Sequence, residues 1–129
     1  MAGTRDCNSA VTAGRMSKAI EFFDAAEYLE DDKPNAAGDL FVDAGIAASD
    51  VICCVRLGVH SSSGAHSEAV ALLETADKGS GKHLSALLSL KNKAAYTHQA
   101  LSTAECKKMN CAASHLVEVA KRAVASAGQ

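Results

Sequence analysis

From Leu40 to Val55 the chain is apolar on nearly every face a helix would present. A helix of this kind sits at the centre of a bundle or in a membrane. Asp43, Asp50 and Arg56 decide between the two, because each is costly in hydrocarbon. The many Ala and Gly residues of the run let neighbouring helices come close. We therefore read a buried central helix from about Pro34 to His60, with Pro34 suited to its first turn. A chain of 129 residues fits one domain around one such core.

The remaining segments also read as helices. Pro34 is the only proline, there is no Trp, and Phe and Tyr together number five. Strands favour β-branched and aromatic residues in alternation, whereas Ala and Leu favour helix. Ala19, Phe22, Phe23, Ala26 and Leu29 recur at helical spacing and predict a first helix over about Ser17 to Leu29. A third helix is expected over about Ala65 to Ala76. A fourth spans about Lys82 to Ala95, with Leu84, Leu87, Leu88 and then position 91 on its stripe. Ser102-Thr103-Ala104-Glu105 has the spacing of a capping box and opens a last helix that fades at Ala127. The expectation is an all-α fold, a single, mainly antiparallel bundle of about five helices over residues 16–127. Residues 1–15 are small and polar without lasting periodicity and are expected to form a flexible N-terminal arm.

Charge is uneven along the chain. Residues 1–64 hold five Lys/Arg against ten Asp/Glu, and residues 65–129 hold eight against five, so the halves carry about −5 and +3. The basic half is compatible with a phosphate ligand or with the acidic half of another subunit. The five cysteines form no CxxC pair, their number is odd, and Cys53 and Cys54 are adjacent on the central helix. With no secretory signal pattern, reduced thiols in a cytoplasmic protein are expected, with neither a disulfide framework nor a zinc site. No cofactor motif is present: Gly79-Ser80-Gly81-Lys82 is too short to cradle a triphosphate, and no histidines stand four apart on one helix.

Lys91 is the most informative single residue. It falls on an inward stripe, where a cation needs a partner or a ligand. Asp43 and Asp50, seven residues apart on the central helix, are the available counter-charges. His98 lies seven residues beyond Lys91, on the same face if the helix continues for two turns. One reading is a cleft in which Lys91, Asn92, Tyr96 and His98 meet a phosphate or a scissile ribose. There His98 or Tyr96 would act as general acid/base, and Lys91 would stabilise developing charge. The other reading ends the helix near Ala95, turns Lys91 outward and leaves His98 in a loop.

Four stretches carry a family likeness: Asp43 to Asp50, His66 to Leu73, Leu87 to Tyr96, and the capped last helix. In that order and spacing the chain resembles HEPN domains (higher eukaryotes and prokaryotes nucleotide-binding), particularly a subgroup common in actinobacterial genomes. The resemblance covers about two thirds of the sequence. It implies a small helical bundle that often dimerises. It also implies either a metal-independent RNase of toxin–antitoxin or defence type, or an inactive relative that binds nucleotide, nucleic acid or a protein partner such as an antitoxin. Active members pair an Arg with a His, with four to six residues between them. Here Lys91-Asn92 stands at the Arg position and His98 follows after six intervening residues. With the Arg replaced, the resemblance implies first a non-catalytic binding or interaction module, whose binding residues would be Lys91, Lys93, Asp43 and Asp50. The RNase with Lys91, Asn92, Tyr96 and His98 is the alternative.

Overall fold

The computed structural model describes residues 3–128. Five helices make up the fold: α1 (Ser9–Leu29), α2 (Pro34–Leu57), α3 (His66–Ala76), α4 (Gly81–Tyr96) and α5 (Thr103–Ala127). Two three-residue strands, β1 (Thr4–Asp6) and β2 (Val59–Ser61), pair antiparallel with Arg5 opposite His60. The all-α expectation holds, and α2 is the central helix. Phe41, Val42, Ala47, Ala48, Val51 and Ile52 on it are wholly buried. Among the described residues no helix is long and apolar enough to cross a membrane.

Helix directions follow from which residues meet. Along α1 and α2, Cys7 meets Cys54, Arg15 meets Asp50 and Phe23 meets Phe41, so the two run antiparallel. His83 beside His115 and Lys93 beside Glu105 make α4 and α5 antiparallel as well. The α2–α5 pair is different. The Cys106 thiol donates to the Pro34 carbonyl at 3.3 Å, Met109 lies against Gly38, and Leu116 against Gly45. These two helices are parallel and form the core seam. Gly38 and Gly45 make it close: a Cβ on Gly38 would run into Leu101, and one on Gly45 into Leu87.

Three expectations are corrected. First, residues 4–15 form β1 and the opening turns of α1 instead of a loose arm. Asn8 caps that helix by accepting the Val11 N–H at 2.9 Å, and pairing with β2 holds β1. Small polar residues here serve a cap and a strand edge, which carry no helical period. Second, α2 stops at Leu57 instead of His60. Gly58 takes the left-handed conformation, φ +76°, and its N–H returns to the Cys54 carbonyl, so Val59 to Ser61 leave as strand. Third, Cys7 and Cys54 are joined as a disulfide, with Cα atoms 5.5 Å apart. The cysteines stand 47 residues apart, and only the folding back of α1 along α2 brings them together. Cys53, Cys106 and Cys111 are free thiols, of which Cys111 is exposed.

Candidate functional site

The loop that follows α2 crosses over the open side of α2 and α4. Between them lies a cleft of about 260 Å³, floored by Ile46, Leu84 and Leu88. Its polar wall is Ser49 and Asp50 from α2, Ser61 and Ser63 from the crossing chain, His66 from the first turn of α3, and Lys91 from α4. The site therefore draws on four segments of the chain.

Asp50 is held from behind. Arg15 on α1 approaches its carboxylate twice, through Nη2 at 2.9 Å and Nε at 3.0 Å. His60 Nδ1 lies 3.9 Å from the other oxygen. That same nitrogen is 3.0 Å from the Ser61 carbonyl, which only accepts, so Nδ1 carries the proton in this contact. Burial pushes the Asp50 carboxyl above the usual carboxylate range, and Arg15 and His60 oppose the rise without cancelling it. Asp43, two turns earlier on α2, is raised too, by burial first and then by the Asp39 charge, with Lys91 and Arg15 pulling the other way.

Among the described residues Lys91 makes no direct ion pair with either aspartate. It is half-buried and faces the cleft, and its charge reaches Asp43 only through space. The Ser61 hydroxyl is buried and has no hydrogen-bond partner among the described residues. A buried hydroxyl left unpaired costs about 1–3 kcal/mol. The cleft thus offers one cation, one carboxylate, one histidine and one unsatisfied hydroxyl around an apolar floor.

The other expected residues lie elsewhere. Asn92 is exposed and lines a neighbouring groove between α3 and α4, which shares His66 and Leu88 with the cleft. The Lys93 ammonium is tied to Glu105 at 2.8 and 3.0 Å. Tyr96 ends α4 and is 74 % exposed. The helix does not continue to His98. Thr97 turns extended (φ −114°, ψ 166°), and its hydroxyl donates to the Lys93 carbonyl and accepts the Gln99 N–H. His98 is left exposed in the loop. Lys91 and His98 therefore do not share a face: the helix ends at Tyr96 and His98 lies in a loop, but Lys91 faces the cleft instead of turning outward.

Sequence reasoning missed Arg15, His60 and Ser61 as neighbours of Asp50. Arg15 sits in the stretch expected to be an arm, and His60 in what was expected to be helix. The alternation of Val59, His60 and Ser61 is too short to announce a strand. Among the described residues no three His, Cys, Asp or Glu side chains gather as a metal set. No protein-family model matches the chain, and a search of curated proteins finds no match.

Proposed function

We propose that this chain is a HEPN-like helical bundle acting as a non-catalytic binding or interaction module, with the Lys91 cleft as its ligand site. The observation that carries this reading is the separation of the would-be catalytic set. Lys91 faces a small built cleft, whereas Asn92 lines the neighbouring groove and Tyr96 and His98 are exposed beyond the cleft lining. General acid/base work on a ribose needs its groups within hydrogen-bond reach of the same atoms. A cleft with an apolar floor and a few convergent polar groups is the usual form of a small-ligand site. Lys91 and the Ser61 hydroxyl favour an anionic or hydroxylated ligand such as a nucleotide.

The reading includes a homodimer, as the resemblance implies, and leaves room for an antitoxin or other protein partner on the outer faces. A cytoplasmic location goes with a reduced Cys7/Cys54 pair, because cytosolic thiols are kept reduced. An oxidising compartment goes with the bonded pair. Thiol trapping at the moment of lysis separates the two.

The deciding experiment incubates the purified protein with mixed RNA in EDTA, beside a Lys91→Ala/His98→Ala double variant. The expected result is no cleavage by either. Cleavage by the wild type that the double variant loses would establish a metal-independent RNase and overturn the binding-module reading. In a thermal-shift panel of mononucleotides, a ligand of the cleft raises Tm for the wild type and not for Lys91→Ala.

A further inference from the structure

A second cleft lies at the end of the molecule where α2 finishes and α4 begins. It is about 350 Å³ in volume and shares no residue with the Lys91 cleft. Arg56 comes from the last turn of α2, Lys78 from the turn after α3, and Lys82 from the first turn of α4. Arg122 comes from α5, two turns beyond His115. Four permanent cations thus surround one concavity in a chain whose formal net charge is −2. Among the described residues the one carboxylate lining it is Asp77. That carboxylate is already engaged, with the Ser80 hydroxyl donating to one oxygen and Arg56 Nη1 3.8 Å from the other. Like charges gathered in this way repel one another, and a bound anion would relieve that repulsion beyond what Asp77 does for Arg56.

The wall between Lys82 and Arg122 is a stacked pair of histidines. The His83 and His115 rings lie 3.9 Å apart between centroids and 25° from parallel. Burial lowers the His83 pKa first, followed by the His115 and Lys82 charges. The His83 ring is thus disfavoured as a cation in the empty cleft, and an anion arriving beside it favours its protonation. The backbone N–H groups of Gly79 and Gly81 are not available, since Glu74 accepts both at 2.9 Å. Recognition at this place is by side chains.

We propose that this cleft binds a compact small-molecule polyanion of the oligophosphate class. The cations ring a single concavity instead of forming a track, which suits several phosphates close together and not an extended nucleic-acid backbone. Binding draws a proton onto His83, which lies in the wall of the cleft, so it strengthens as pH falls through the histidine range. This inference is independent of the Lys91 cleft.

The test is calorimetric titration of the intact chain with sodium tripolyphosphate at constant ionic strength. A Lys82→Gln/Arg122→Gln variant and an exposed-lysine control, Lys107→Gln, are run beside it, each checked for helicity. The expected result is saturable one-to-one binding, at least about tenfold weaker in the double variant and unchanged in the control. Binding should be tighter at pH 6 than at pH 8, with proton uptake that a His83→Gln variant reduces. Absence of saturable binding, equal binding by the double variant, or tighter binding of an RNA oligonucleotide of equal charge would each overturn the proposal.

Discussion

At the scale of single residues, Glu105 combines two tasks. Its carboxylate accepts the Ser102 N–H at 2.9 Å to complete the capping box of α5, and it receives Lys93 from α4. The Lys93 hydrogen bond, followed by the backbone one, lowers its pKa from 4.5 to about 2. A carboxyl whose folded pKa is depressed adds stability that is full above its ordinary pKa and is lost as pH falls through the folded one. Glu105→Gln keeps the cap, since Gln suits that box position, but removes the charge. The wild type is therefore expected to be the more stable at pH 7. The gap should close as pH falls from about 4.5 to about 2, as urea denaturation at a series of pH values will read. The capping box was legible from four consecutive letters because both of its partners are local. The Lys93 contact was not, because it depends on how α4 folds back on α5.

Among the helices, α2 and α5 pack in parallel along glycines. Gly45→Ala would push a methyl group into Leu87, with Leu116 also close, and overpacking of this kind costs about 1–3 kcal/mol. The loss should appear as a lower denaturation midpoint at unchanged denaturant slope. Gly14 has open space around it, and Gly14→Ala should be neutral or slightly stabilising. The existence of all five helices was legible, since apolar spacing and the capping box of the last helix are properties of short windows. Their ends near loops were less so. Val59 to Ser61 became strand because Gly58 turns the chain and residues 4–6 wait across from it, a pairing over more than 50 positions that no window contains.

At the scale of the whole molecule, every other helix packs on α2. Its amides between Phe41 and Ile52 are expected to be the slowest to exchange with deuterium, since opening them requires global unfolding. Those of Thr4 to Asp6 and Val59 to Ser61, in a two-stranded ribbon, are expected to exchange first. Equal protection across the two regions would contradict the core drawn around α2. The candidate site follows the same logic. Lys91 and Asp50 were visible as charges out of place on apolar stripes. The wall that closes the cleft over them comes from β2 and its flanking loop, whose position depends on the entire fold.

The Cys7–Cys54 bond turns residues 7–54 into a closed covalent ring, with the rest of the chain as its tail. The α1–α2 turn, with exposed Asp31 and Asp32, is part of that ring. A protease that nicks the backbone there opens the ring but releases nothing. The product runs as one species on a non-reducing gel and separates into two fragments only after reductant is added. Two fragments without reductant would mean that the ring was never closed.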